Sequence, residues 1–295
     1  MSATTSTGPA TPAAATVLEQ VGRWQLVERL ATGTWSEVFA ARPDGARDDG
    51  PAAYALKRLQ PHCEREPRAT AMLAREAIVA AEVTHPHLIS VLVAHVERAP
   101  FYVVMPRLAG QSLDQRLSSG DRPSLAETLW IGRQVSEALA ALEQAGWLHG
   151  DVKPQNIFVG PAGHATLLDL GFARRRDEAI DYDAGHLLGT PHYLAPELIS
   201  SVLQADIRSD IYALGATLYE MLAGRVPFEG DLPTVATKQR QETPPRLRTL
   251  ASQVPEPVAE LIHNMLAKEP LRRPQTAGKL CERLVDLEIR YLAAR

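Results

Sequence analysis

His149-Gly150-Asp151-Val152-Lys153-Pro154-Gln155-Asn156 is the stretch from which the rest of the chain can be read. It places an acid, a lysine two residues later and an amide five residues after the acid in one segment stiffened by proline. A carboxylate so placed can orient a hydroxyl and take its proton while a nearby amide oxygen helps hold a divalent metal, which is phosphoryl-transfer chemistry. The alternative is a surface turn in which Asp151 starts a helix, because motifs this short also occur without function.

The chain has 295 residues, enough for one large domain or two lobes sharing a core. Apolar residues make up 45% and charged residues 22%, as in ordinary globular proteins. A net charge of −4, with basic residues scattered apart from Arg174-Arg175-Arg176, carries no signature of nucleic-acid binding. Cys63 and Cys281 stand far apart without metal-ligand neighbours, so neither a disulfide framework nor a zinc site is expected, and a reducing cytoplasm is the default location. No apolar run has the length of a membrane span. Residues 1–20 open with a Ser/Thr/Pro/Ala-rich tract that lacks the basic start and apolar segment of a secretory signal, and they are expected to form a disordered tail.

Upstream of the octapeptide the patterns are those of strands. Val21 to Val38 predicts a β-hairpin with the small-residue tip Ala31-Thr32-Gly33-Thr34-Trp35-Ser36, where Gly33 and Ser36 leave backbone N–H groups approachable by phosphate. Residues 42–51 predict a polar connector, and Tyr54-Ala55-Leu56-Lys57 a strand ending in lysine. Arg68 to Val83 predicts a helix with Glu76 near its middle, ended by His85-Pro86-His87, whose two histidines suit a turn better than a metal site. Ile89–Val93 and Phe101–Met105 predict two further strands, and Pro106 to Gln111 a linker.

Downstream the period becomes helical. Ser124-Leu125-Ala126-Glu127 matches a capping box for a helix with Leu125, Leu129, Val135, Leu139 and Leu142 on one face, closed at Gly146. Ile157–Val159 and Ala165–Leu168 predict a hairpin that delivers Asp169-Leu170-Gly171. Gly189-Thr190-Pro191-His192-Tyr193-Leu194-Ala195-Pro196-Glu197 follows, then a helix over Ile211–Ala223 started by Ser209-Asp210 and stopped at Gly224, with more helix at 256–267 and 276–293. Strands first and helices afterwards predict an α+β fold: a small sheet-rich lobe over residues 21–105, a linker at 106–111 and a larger helical lobe over 112–295.

The ordered set resembles the protein kinase family, in particular bacterial Hanks-type Ser/Thr kinases, over about residues 22–290: the loop at Gly33, then Lys57, Glu76, HGDVKPQN, Asp169-Leu170-Gly171, GTPHYLAPE, Asp210 and Arg273. The resemblance implies a bilobal kinase-like fold and an ATP-dependent transferase that phosphorylates protein Ser/Thr hydroxyls with Mg²⁺ or Mn²⁺. Lys57 would hold the α- and β-phosphates of ATP and pair with Glu76, Asp169 and Asn156 would bind metal, Asp151 would orient the acceptor hydroxyl, and Lys153 would neutralise the transferring group. Leu30, Val38, Ala55 and Phe158 would enclose the adenine, with Met105 to Leu108 as hinge. Glu197 and Arg273 would form a structural ion pair, and Asp210 would brace the catalytic loop.

Departures from the family pattern qualify this. Ala31 and Ser36 replace glycines, and Leu170 replaces the usual Phe. Gly150 stands where the family usually places an arginine able to pair with a phosphate on the activation loop, and residues 172–189 contain no Ser or Thr, only Tyr182 as a hydroxyl acceptor. The two absences agree and predict a kinase that does not need loop phosphorylation. His-Gly-Asp also resembles small-molecule kinases of the aminoglycoside phosphotransferase type, and a pseudokinase that scaffolds a partner protein is a second alternative. Both share the kinase-like fold.

Overall fold

Alternating inward and outward side chains build the first part of the chain into a sheet. In the computed structural model, which describes residues 17–46, 50–176, 178, 191–199 and 206–292, β1 (Glu19–Val21), β2 (Trp24–Thr32), β3 (Ser36–Pro43), β4 (Tyr54–Leu59), β5 (Val93–His95) and β6 (Tyr102–Pro106) form one antiparallel six-stranded sheet. Its order is β1-β2-β3-β4-β6-β5. Leu26, Phe39, Ala41, Leu56, Tyr102 and Val104 cover one face with Val21, edged by Trp24 and Tyr54, whose rings meet edge-on at 5.1 Å. Burial of each large side chain there stabilises the sheet by about 2 kcal/mol.

The chain divides into two compact units: one runs through Leu73 and takes in Val91–Arg107, and the other takes Ala74–Ser90 and the chain from Leu108 onward. Helix α1 (Pro67–Glu82) therefore begins in the first and ends in the second.

The second unit is mainly helical. It contains β7 (Gln111–Ser112), α2 (Leu113–Ser118), α3 (Leu125–Gln144), β8 (Trp147–Leu148), β9 (Ile157–Val159), β10 (Ala165–Leu167), β11 (Arg174–Arg175), α4 (Pro196–Ile199), α5 (Ile207–Ala223), α6 (Leu232–Gln241), α7 (Leu247–Leu250), α8 (Glu256–Met265) and α9 (Ala277–Leu292). The Ser124 capping box is complete: Ser124 Oγ accepts the Glu127 N–H at 3.2 Å and Glu127 Oε2 accepts the Ser124 N–H at 2.9 Å. Helix α5 is apolar nearly all round and buried along its length, as expected of a central helix. Gly224 stops it in a left-handed conformation at φ 73°. Among the described residues no helix is long and apolar enough to cross a membrane.

Several boundaries differ from the sequence-based expectation. β4 runs on through Leu59, so Lys57 lies inside the strand rather than at its end. Leu88 and Ile89 are buried but belong to no strand. The Ile89 N–H donates to the Leu167 carbonyl at 3.0 Å, so their apolar character reflects packing beside β10. Helix α5 starts earlier than Ile211 because Asp206 is its cap, accepting the Arg208 N–H at 2.9 Å. Ser209 and Asp210 are inside the helix, with their polar groups committed to tertiary contacts. The tail through residue 16, Tyr182 and Gly189-Thr190 lie outside the described residues.

Glu197 and Arg273 form the expected ion pair, fork to fork, at 2.6 and 2.8 Å. Ser209 Oγ also donates to Glu197 at 2.7 Å, and the Arg273 guanidinium donates to the carbonyls of Ala267, Arg208 and Lys268. Both partners are buried, so removing one leaves an uncompensated charge. Glu197→Gln is expected to cost about 3 kcal/mol of unfolding free energy, read as a lower urea midpoint at unchanged m-value.

Candidate active site

The loop after β8 is held from beneath by one carboxylate. Asp210, on the first turn of α5, accepts the His149 N–H at 2.8 Å and the Gly150 N–H at 2.9 Å. Burial pushes this carboxyl above the usual aspartate range, opposed by the His149 imidazole and the two backbone donors. His149 is itself fully buried. Its Nδ1 accepts the Asp151 N–H at 3.2 Å, so Nε2 carries the proton and donates to the Leu168 carbonyl at 2.9 Å. One imidazole thus joins the Asp151 backbone to Leu168, the residue between β10 and Asp169.

Gly150 takes φ +81°, and a Cβ built there would lie 2.6 Å from the Phe172 carbonyl oxygen. The arginine that the family resemblance places at this position has no room in this backbone conformation.

The three working groups of the octapeptide converge. Lys153 Nζ lies 2.7 Å from Asp151 Oδ2. Asn156 Nδ2 donates to the Asp151 carbonyl and to its Oδ2, both at 2.8 Å, and the amide oxygen Oδ1 has no protein donor among the described residues. Burial pushes the Asp151 carboxyl upward, Lys153 opposes that shift, and nearby Asp169 adds to it. The Leu168 N–H donates to the Asn156 carbonyl at 2.8 Å, which ties the segment before Asp169 to the same loop.

Asp169 is the non-glycine residue with positive φ among the described residues, at 61°. Its Oδ1 accepts the Gly171 N–H at 3.3 Å. Such conformations cluster at functional sites, where the surroundings over-determine them. The Asp169 carboxylate and Asn156 Oδ1 are hard oxygen donors of the kind Mg²⁺ and Mn²⁺ take, so the residues present fit such an ion. Phe158, on β9, is half-buried within the same unit.

The remaining sequence-predicted residues follow from the sheet register. Val38 stands opposite Lys57, and Ala55 opposite Met105. Period-two alternation puts Val38, Ala55, Lys57 and Met105 on the face away from Phe39, Leu56 and Val104. Leu30 lies on β2, at the register shift between Arg29 and Ala31, and is 39% exposed. The Gly33 N–H donates to the Ser36 carbonyl at 2.8 Å and closes the tip, yet a Cβ at Gly33 would meet only ordinary contacts. The fold itself does not demand glycine there. Glu76 is 1% exposed inside α1, which rules out a solvent-facing charge. Leu108 opens the main run of the second unit.

Sequence reasoning missed His149 as a bridging group. Its local signal is only adjacency to Gly-Asp, whereas its role depends on Leu168, distant in sequence. Asp210→Asn replaces one of two acceptors by an amide NH₂ facing an N–H, and is expected to accelerate hydrogen exchange at His149 and Gly150 by about tenfold or more. Gly150→Ala is expected to lower the thermal midpoint, because strained φ alone costs about 1–2 kcal/mol before the contact with Phe172 is counted.

Residues 24–285 match the family described as protein kinase domain. The chain is 30% identical over 270 residues to a probable serine/threonine-protein kinase pknA2 of Bifidobacterium longum, covering 90% of this chain and 35% of that protein. It is 31% identical over 257 residues to the serine/threonine-protein kinase PrkC of Bacillus subtilis (87% and 39%). With the serine/threonine-protein kinase PknA of Mycobacterium tuberculosis the identity is 33% over 269 residues (88% and 60%). The chain thus spans 35% to 60% of the length of these relatives. With a match that runs through both compact units and takes in every site residue described above, the chain belongs to the protein kinase domain family.

Proposed function

We propose that this chain transfers the γ-phosphoryl group of ATP to Ser or Thr hydroxyls of protein substrates. The observation that carries the reading is the convergence of Asp151, Lys153 and Asn156 on one braced loop, with Asp169 beside it. Asp151 orients the acceptor hydroxyl and takes its proton, a task suited to a carboxyl that burial has pushed upward. Lys153, whose Nζ lies 2.7 Å from Asp151 Oδ2, stabilises the charge on the group in transit. Asp169 and Asn156 are the metal ligands, and a bound Mg²⁺ or Mn²⁺ supplies neutralisation of phosphate charge.

Lys57 holds the α- and β-phosphates with Glu76 as its anionic partner, a use that accounts for a glutamate buried to 1% exposure. Gly33 serves close backbone approach of phosphate, since no steric need of the fold explains it. Leu30, Val38, Ala55 and Phe158 contact the adenine, and Met105 and Leu108 flank the backbone groups that read its edge. The lobe boundaries of 21–105 and 112–295, joined by 106–111, belong to the same reading, as do a cytoplasmic location and a regulatory partner protein.

Activity does not depend on a phosphate between Phe172 and Gly189. That stretch has no Ser or Thr, and Gly150 can present no guanidinium. Dephosphorylated protein and Tyr182→Phe are expected to keep activity within about twofold of wild type; a mass-mapped phosphate in this segment whose removal abolishes turnover would contradict this.

With labelled ATP, Mg²⁺ or Mn²⁺ and generic protein substrates, transfer to Ser/Thr is expected, and Asp151→Asn is expected to lower kcat by about 10²–10⁴-fold while ATP still binds. Lys57→Met is expected to weaken productive phosphate positioning and lower kcat/KM. ATP binding without transfer across several substrates would favour a pseudokinase, and transfer confined to a small alcohol would favour a small-molecule phosphotransferase.

A further inference from the structure

Helix α1 is fastened to the segment that follows Asp169-Leu170-Gly171 by groups that the proposed chemistry does not use. Arg75 Nη1 donates to Glu178 Oε2 at 2.5 Å and Nη2 to Oε1 at 2.6 Å, a two-pronged pairing of guanidinium and carboxylate. Glu178 Oε2 also accepts the Arg175 N–H at 3.1 Å, so the carboxylate is anchored to its own backbone. The Arg75 guanidinium beside Glu178 holds that carboxyl below the usual glutamate range.

A second tie lies about two turns further along α1. Glu82 Oε2 accepts Trp147 Nε1 at 2.8 Å and Arg175 Nη2 at 2.7 Å. Trp147 is 3% exposed, and both the Arg75 and Arg175 guanidiniums lie over its ring, at 5.6 and 4.3 Å. Arg175 Nη1 donates further to the Ala145 carbonyl at 3.1 Å. Arg175 therefore has specific partners, although its side chain remains 43% exposed. Its pairing with Trp147 across β11 and β8 completes the cluster.

Two anchors on one face of a helix fix its rotation about its own axis. Glu76 follows Arg75 directly and so points about a quarter turn away. Releasing Arg75 frees the rotation that aims Glu76.

We infer that Arg75 and Glu178 are positioning residues for phosphoryl transfer: a built-in carboxylate after the Asp-Leu-Gly turn holds α1 through a bidentate arginine, where regulated kinases wait for an added phosphate to make such a contact. The inference rests on the kinase reading above and deepens it. It supplies a physical reason for a loop that lacks Ser and Thr: the negative charge is already encoded, at Glu178. A carboxylate carries one charge and two acceptor oxygens, which matches a single guanidinium fork without needing a second arginine at position 150.

The test uses the full chain and the variants Glu178→Gln, Arg75→Gln and the double variant. Hydrogen exchange of the α1 amides from Ala74 to Glu82 is measured alongside kcat, KM for ATP and the urea midpoint. Glu178→Gln is expected to speed α1 exchange and to lower kcat by about tenfold, with the urea midpoint little changed, because the pair sets a local equilibrium rather than global stability. The double variant is expected to be no worse than either single one. Unchanged α1 exchange in Glu178→Gln, or single effects that multiply in the double variant, would overturn the inference. If the wild-type chain transfers no phosphate at all, the kinase reading fails, and the exchange measurement still decides whether the pair holds the helix.

Discussion

The contact on which the site depends is the Asp210 carboxylate beneath the loop, with one oxygen on the His149 N–H and the other on the Gly150 N–H. A short loop between strands would otherwise have its backbone donors exposed to water and its side chains free to rotate. Burying an aspartate to supply both acceptors costs desolvation, and the cost is met only because α5 is itself fixed along its whole length. From this anchor the order propagates outward. His149 joins the Asp151 N–H to the Leu168 carbonyl, Asn156 fastens Asp151, and Asp169 follows directly after Leu168.

Position 150 shows how one residue decides between two designs. With φ +81° and the Phe172 carbonyl 2.6 Å from where a Cβ would stand, the loop approaches the post-Asp169 segment more closely than any side chain allows. That closeness gives up the arginine through which a loop phosphate is usually read. The Arg75–Glu178 pair, further along the same segment, offers a charge contact that requires no modification. Geometry and composition agree, since no Ser or Thr lies between Phe172 and Gly189.

Much of this was legible in the sequence, and what was not has identifiable reasons. The Ser124 capping box, the Gly224 stop and the hairpin leading to Asp169 are local patterns governed by local hydrogen bonds, and each occurs where the residues indicate. Helix α2 was open to the same reasoning, because Ser112 and Gln115 form a complete capping box that is short enough to pass as linker. Ser209-Asp210 imitates a helix start because the residue types that cap helices also serve as buried acceptors. Only the tertiary contacts to Glu197, His149 and Gly150 tell the two apart. The bridging role of His149 and the pairing of Arg75 with Glu178 leave no local signal, since each joins groups remote in sequence.

The proposal that this braced loop and its neighbouring Asp169 form a metal-nucleotide site is tested most directly by a crystal structure with Mn²⁺ and a non-hydrolysable ATP analogue. Anomalous scattering is expected to locate Mn²⁺ bound by the Asp169 carboxylate and by Asn156 Oδ1, the amide oxygen without a protein donor among the described residues. Nucleotide bound with no metal at either residue, or metal held elsewhere in the chain, would contradict it.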